Sequence, residues 1–400
     1  MNLLLVTYHF KPEKTVGADR PNSLYTYASE NDIHIDVITA SPASQVENGV
    51  YRIAGSSGWY RPPISLKKII GKAVTKMVEP FYFNTDWYWV MRVKQFTKRK
   101  LCTGMYDAVY VIYPHVHALE AAWFISSYLN VPLISDFTDC IGYYPLELPN
   151  IIQKGTRFRF ERRVLEKSAA AITIATEYKQ YFESISPTPA YLVYNGYDEH
   201  DFEGISSRKA ASGEKRNSTK FVHFGSINAS RKRNVKPLFD AIARLKSSKS
   251  HPLFMVDFIG NYTPDERRLV DTLNIQDVVS FIPYMDKKAG LQLITREYDF
   301  LLFYGVPNQS STVCSKLLEY LRLYKPIIGV CKGNEAEHII KRAGAGEIAD
   351  FSAAEIEHLF QKALKHEIFY SPDHDYIRQF NRKSQAREIF SIVKSCVKAE

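Results

Sequence analysis

The residues best suited to chemistry stand in short groups, and the first is Ser315, Lys316 and Glu319 in the run Cys314-Ser315-Lys316-Leu317-Leu318-Glu319. If this run opens a helix, exposed amides at its start suit an anionic group and Lys316 adds a point charge. Glu319 can accept hydrogen bonds from a pair of sugar hydroxyls. An ordinary capped surface helix fits the same spacing. Gly225-Ser226, followed by Arg231, Lys232 and Arg233, places a glycine and cations ahead of a helix, the parts of a diphosphate cradle, although such a charge run also serves as a solvated turn. Asp136 and Asp139 could orient hydroxyls or stabilise charge at a reacting carbon. His115 and His117 fit satisfied surface histidines, and metal ligation lacks further ligands at useful spacing. Asp373-His374-Asp375 has the form of a metal-binding D-x-D, but it follows Ser371-Pro372 and reads as the start of a helix.

The elements that must hold these groups alternate between apolar runs and helical patterns. Asp299 to Tyr304 and Ile327 to Val330 fit strands buried on two faces, Leu317, Leu318 and Leu321 fit one buried helical face between them, and Lys325-Pro326 stops that helix. Two such strands make a right-handed parallel crossover, with its ligand side at the loop Gly305 to Cys314. At the other end of the chain, Leu3 to Thr7, a helix from about Asn22 to Glu30 and Ile35 to Ile38 form a βαβ unit, with Gly17 and Pro21 in its loop. No G-x-G-x-x-G follows the first strand, so dinucleotide binding there loses its main support. Tyr106 to Ile112 and Leu133 to Ser135 are strands that release His115, His117 and the Asp136 to Asp139 segment as loops. Glu161 to Ala171 reads as a helix, and Ala171 to Ala175 and Tyr191 to Tyr194 as strands running into the turn Asn195-Gly196. The polar stretch Glu203 to Lys220 is the best linker. After it come Phe221 to Phe224, a helix from about Pro237 to Lys246, Phe254 to Ile259 and Val278 to Phe281 as a second alternation. Glu335 to Arg342 and Ala353 to Lys365 read as helices, and Ala386, Ile389, Phe390 and Val393 have helical spacing.

A chain of 400 residues with 45% apolar content can bury large cores, and the length favours two domains. Five cysteines with no C-x-x-C pair point to a reducing compartment and against structural zinc. The start MNLLLVTYHFKPE has no basic n-region and too short an apolar run for a signal peptide or a span, which gives the expectation of a cytoplasmic protein. The net charge of +9 suits polyanionic partners, and much of it sits between Arg61 and Lys100, where ten Lys or Arg face Glu79 and Asp86 among seven interleaved aromatics. There Leu66, Ile69, Ile70, Ala73 and Met77 share one helical face and Lys68, Lys72 and Lys76 another, which suits an anionic membrane surface or, equally, a solvated lysine face over a normal core. Nucleic acid ranks lower because no recognisable nucleic-acid module surrounds the segment.

The run S-K-L-L-E-Y-L-x-x-x-K-P-I-I-G, Ser315 to Gly329, resembles the donor-nucleotide segment of family 4 glycosyltransferases. The resemblance implies an α/β fold of two Rossmann-like domains facing across a cleft, the GT-B fold. Residues 1–203 would bind the acceptor, residues 204–379 would bind the nucleotide sugar, and a terminal helix at about 380–400 would cross back to the first domain. In that family the last Glu of an E-x(7)-E pair holds the ribose hydroxyls, a place Glu319 matches, while the first Glu falls at Ser311. VTYHFKPE followed by GADR resembles the family's acceptor-side opening and brings in Gly17, Asp136-Phe137-Thr138-Asp139 resembles its D-F-R-D motif, and V-Y-N-G-Y-D resembles its hinge signature. The resemblance therefore implies donor binding by Gly225, Ser226, Arg231, Lys232, Arg233, Ser315, Lys316 and Glu319, and acceptor binding by Gly17, His115 and His117. Asp136, Asp139 and Ser311 would stand at the reacting centre. The implied reaction is retaining sugar transfer from a nucleotide sugar to a glycan or lipid-linked acceptor, with no cofactor, no obligatory metal and no nucleic acid as partner. Two rivals share these features: a sugar-nucleotide 2-epimerase of the same architecture, and a non-catalytic membrane-surface binding protein.

Overall fold

Apolar runs of four to six residues recur between helix-length segments, and in the computed structural model most of them become strands buried on both faces. The structure describes residues 1–13, 15–41, 44–55, 86–143, 151–205, 218–226, 234–248, 253–307, 311 and 313–398. Contacts group the chain into two units, Met1–Tyr194 with Lys383–Glu400, and Asn195–Arg382.

The first unit is built on β1 (Asn2–Val6), β2 (His34–Ser41), β3 (Gln45–Glu47), β4 (Val50–Ala54), β5 (Ala108–Tyr113), β6 (Leu133–Phe137), β7 (Ala170–Thr173) and β8 (Ala190–Leu192). Their spatial order is β3-β4-β2-β1-β5-β6-β7-β8, parallel throughout except for the β3–β4 pair. The helices α1 (Val16–Tyr27), α2 (Trp87–Lys100), α3 (Val116–Leu129), α4 (Ile151–Lys167) and α5 (Thr176–Ile185) connect them. Alternation along β1 divides the core. Leu4 and Val6 join a cluster with Trp89, Val93 and Ile125 on α2 and α3. Leu3 and Leu5 join one with Ala386, Ile389, Phe390 and Val393, from the terminal helix of the chain.

The second unit holds β9 (Thr219–Phe224), β10 (Phe254–Ile259), β11 (Val279–Ile282), β12 (Phe300–Tyr304), β13 (Ile327–Val330) and β14 (Gly346–Ala349). They form a parallel sheet in the order β11-β10-β9-β12-β13-β14. Its helices are α6 (Lys236–Ser247), α7 (Pro264–Thr272), α8 (Lys287–Glu297), α9 (Ser315–Arg322), α10 (Glu335–Arg342), α11 (Ala353–Leu364) and α12 (His374–Arg378), and α13 (Arg382–Lys398) then returns to the first unit. In each sheet the strand order reverses beside the first strand of the unit, between β1 and β5 and between β9 and β12. Such reversals open a crevice beyond the carboxyl ends of the strands, and these are the places to look for a site.

Several sequence expectations need correction. The first helix starts at Val16, six residues before the expected Asn22, so Gly17 and Pro21 lie within it; the buried side chains of Ala18 and Arg20 draw this turn into the fold despite the proline. Strand β6 runs through Asp136, which the sequence places in a loop. Helix α4 stops at Lys167, and Ala170 and Ala171, read as helix end, are fully buried strand residues. Asn195 to Glu203 belong to the second unit, where Arg322 holds Glu199 at 2.8 Å and Lys287 holds Asp201 at 3.2 Å. The proposed basic helix with Lys68, Lys72 and Lys76, and most of the linker Glu203 to Lys220, lie outside the described residues.

Candidate functional site

In the second unit, β9 ends in His223-Phe224-Gly225 beside the start of α9. Gly225 has φ +115°, a backbone that favours glycine, and a Cβ on it would lie 2.7 Å from Lys316 Cε and 2.9 Å from Lys316 Nζ, so a side chain here would strain the turn and push the ammonium aside. Lys316 Nζ is 2.9 Å from His223 Nε2, and His223 Nδ1 is 3.0 Å from the Leu302 carbonyl oxygen. A carbonyl only accepts, so Nδ1 carries the proton and Nε2 accepts from the ammonium. Tyr320 OH accepts from the Phe224 amide at 2.6 Å, a second mooring between α9 and β9. Cys314 at the N-cap of α9 makes no side-chain hydrogen bond to the first-turn amides, and no acid stands in that turn.

Glu319, one turn further along α9, is buried and its Oε1 lies 3.1 Å from Lys287 Nζ. Burial pushes its acid above the usual carboxylate range, and the Lys287 ammonium opposes that shift. Ser311, where the family's first Glu would stand, is buried, and its Oγ has no partner among the described residues. Ser226 is exposed at the end of a described segment, Ser315 is the half-buried first residue of α9, and Arg231, Lys232 and Arg233 lie outside the described residues.

In the first unit, the ends of β1 and β5 bring histidines together. His9 Nε2 lies 2.7 Å from His115 Nε2, and His9 Nδ1 lies 2.7 Å from Glu13 Oε2. In the uncharged pair His9 donates to the carboxylate through Nδ1, so its Nε2 accepts from His115. His117 sits under Tyr8, with ring centroids 4.1 Å apart, and its Nε2 is buried with no partner among the described residues. Burial first, then His117 and His9, push His115 down to about 3; burial also pushes His117 down to about 4, against the pull of Asp86. Both rings are therefore neutral near pH 7. Tyr8 OH donates to Asp86 at 2.8 Å, and Asp86 caps α2 through the Trp89 amide. A Cβ on Gly17 would lie 3.2 Å from His9 Cδ2, so the His9 ring packs closely over this glycine.

Asp136 and Asp139 do not act as a pair. Asp136 is fully buried: its Oδ2 accepts from Arg20 Nε at 2.6 Å and from Tyr110 OH at 2.5 Å, while Oδ1 has no partner among the described residues. Two further Arg20 donors, one on each terminal nitrogen, go to the Tyr194 and Val193 carbonyls, at 3.0 and 3.1 Å. This network ties α1 to the last residues of the unit and holds Asp136 fully buried within it. Asp139 is exposed, and its Oδ1 accepts from the Cys140 amide and Tyr178 OH. Asp373 caps α12 through the Tyr376 amide, and among the described residues no group of three or more His, Cys, Asp or Glu is arranged to hold a metal ion. The sequence pointed to Lys316, Glu319, His115 and His117 but missed His9, Arg20, His223 and Lys287. His223 sits in an apolar strand and reads as core, and Lys287 is distant from Glu319 in sequence.

No family model and no curated protein matches the chain. Solved structures do resemble it over almost their whole length. The sucrose-phosphate synthase of Thermosynechococcus elongatus is 15% identical, with 100% of each chain covered and a TM-score of 0.71. Anabaena HepE, solved with UDP and glucose, is 15% identical over 99% of this chain and 100% of its own, with a TM-score of 0.63. The UDP-GlcNAc 2-epimerase of Methanocaldococcus jannaschii is 11% identical over 99% of this chain and 100% of its own, with a TM-score of 0.55. The fold is thus α/β with two parallel-sheet Rossmann-like domains, and it matches GT-B glycosyltransferase structures.

Proposed function

We propose that this chain is a glycosyltransferase resembling family 4, which moves a sugar from a nucleotide-sugar donor to a glycan or lipid-linked acceptor with retention, in surface polysaccharide or glycolipid synthesis. The observation that carries the reading is the Lys316 ammonium seated on Gly225 at the reversal of the second sheet, with Glu319 one turn along the same helix. A diphosphate leaving group at that point meets a fixed cation and the start of α9, which stabilises charge as the glycosidic bond breaks. Glu319 supplies a buried acceptor for ribose hydroxyls. UDP and glucose in Anabaena HepE support a nucleotide-sugar donor of this kind. On the other unit, the half-buried, neutral His115 ring can meet acceptor hydroxyls, with His9 and Glu13 fixing its orientation, while His117 lies buried beneath Tyr8. The retaining outcome rests on the family resemblance.

Approach to an anionic membrane is supported by α2, where Trp87, Tyr88 and Met91 are exposed and Arg92, Lys94, Lys98, Arg99 and Lys100 follow. Among the described residues no helix is long and apolar enough to cross a membrane. The test is to incubate the protein with a panel of nucleotide sugars, with and without glycan and lipid-linked acceptors, and to identify products by mass spectrometry. Acceptor-dependent glycosylation is the expected result. A sugar-nucleotide 2-epimerase is the second reading, favoured by the likeness to the epimerase of M. jannaschii. Conversion of the donor sugar without any acceptor would establish it.

A further inference from the structure

We infer that His223 is a positioning residue for the donor diphosphate, holding the Lys316 ammonium at the one point over Gly225 where it meets phosphate. The inference rests on the donor reading above and extends it to a side chain that the motif does not contain. His223 is fully buried in β9, so its two ring nitrogens must be satisfied within the protein. The Leu302 carbonyl fixes the tautomer by accepting from Nδ1, which leaves the Nε2 lone pair to accept from Lys316 Nζ. A lysine ammonium carries three donors on a flexible stem, and free rotation would spread its charge over several positions. One of those donors is committed to His223 Nε2 at 2.9 Å, and the stem lies against Gly225, where a Cβ would reach within 2.7 Å of Cε. The cation is thereby placed before any ligand arrives, and the lost rotamer freedom is not charged to binding. A mere core histidine would not need a lysine from another element hydrogen-bonded to its second nitrogen and seated over a positive-φ glycine.

Asparagine and glutamine divide the two jobs of the ring. His223→Asn places an amide near Nδ1 and can keep the hydrogen bond to Leu302, but presents nothing to Lys316. His223→Gln places an oxygen near Nε2 and can accept from Lys316. The experiment measures, by calorimetry, the affinity of wild type, His223→Asn, His223→Gln, Lys316→Met and the His223→Asn/Lys316→Met double variant for UDP, GDP, CDP, ADP and TDP and for the matching nucleosides. Melting temperatures without ligand establish that each variant is folded. For whichever diphosphate binds wild type, His223→Asn should weaken it by about tenfold, the scale of one charge-assisted hydrogen bond. Nucleoside affinity should stay within about twofold, His223→Gln should recover most of the loss, and the double variant should lose little beyond Lys316→Met alone. Equal loss of nucleoside and diphosphate, equal behaviour of Asn and Gln, or additive losses in the double variant would overturn the role of His223 and leave the donor reading standing. Absence of any diphosphate binding by wild type would overturn the donor reading and this inference with it.

Discussion

Replacing Glu319 by Gln separates a ligand-binding carboxylate from a structural one. The Glu319 side chain is 9% exposed, and burial holds its acid above the ordinary value of 4.5. The folded state therefore holds the proton more tightly than the unfolded chain, and this group's contribution to stability falls as pH rises through the interval above 4.5. Gln removes that cost, and Lys287, which loses its carboxylate, still has Asp201 at 3.2 Å. The melting temperature without ligand should be unchanged or slightly raised at neutral pH. Donor binding should respond differently, because Oε1 is already shared with Lys287 and a ribose diol needs both oxygens. Gln must keep its oxygen on Lys287 and turn its amide to the ribose, or the reverse, so one or both charge-assisted bonds weaken, by about 1–3 kcal/mol in total. That is a roughly 5- to 150-fold loss of affinity, readable by calorimetry with a nucleoside diphosphate and its 2'-deoxy analogue. The deoxy ligand should bind wild type weakly and lose less in the variant. An unfolded variant, or one that keeps the wild-type preference for ribose over deoxyribose, would refute the assignment.

Other outcomes follow from the same geometry. Arg20→Ala and Asp136→Asn each strand a buried partner and should cost about 3–5 kcal/mol in urea unfolding, whereas loss of activity with unchanged stability would return Asp136 to the reacting centre. Gly225→Ala and Gly204→Ala both force a side chain onto positive φ, at about 1–2 kcal/mol each, but no atom of the described residues lies within 4 Å of the Gly204 Cβ position, so only Gly225→Ala should weaken diphosphate binding; equal binding by both would show that Lys316 is not seated over Gly225. His115 and His117 are held down to about 3 and about 4 in the folded protein, so below 6.5 the unfolded chain takes up protons that the folded state refuses, and stability falls with pH across that window. His115→Gln should flatten the fall in urea midpoint between pH 6.5 and 4, and an identical slope would contradict the burial argument. Changing Trp87, Tyr88 and Met91 together to Ser should reduce cosedimentation with anionic vesicles at low salt, and unchanged cosedimentation would remove the membrane proposal.

What could be read from the sequence was whatever repeats locally. The apolar runs of β1, β12 and β13, and the Leu317, Leu318 and Leu321 face of α9, announce themselves within a few residues, and they put Lys316 and Glu319 at a helix start without further help. What could not be read depends on partners far apart in the chain. Arg20 and Asp136 are 116 positions apart, and only their pairing lets a charged residue stand inside a strand, so sequence rules place Asp136 in a loop. His223 reaches Lys316 across 93 positions, and nothing in an apolar strand marks one histidine as a ligand to a cation. The early start of α1 follows the same logic, since Pro21 argues against a helix locally while burial of Ala18 and Arg20 argues for one.

The return of α13 to the first unit also bears on how the chain emerges from the ribosome. Leu3, Leu5, Tyr110, Ile112, Ile134 and Ile172 share a buried cluster with Ala386, Ile389, Phe390 and Val393, yet the whole second unit, residues 195–382, is synthesised in between. At about 5–20 residues per second, that face of the sheet waits roughly 10–40 s for its final cover. During that interval the nascent chain presents an apolar sheet face without the partner it has in the finished protein. A chain released after residue 382 would hold all of the second unit and lack the Ala386 to Val393 cover of the first.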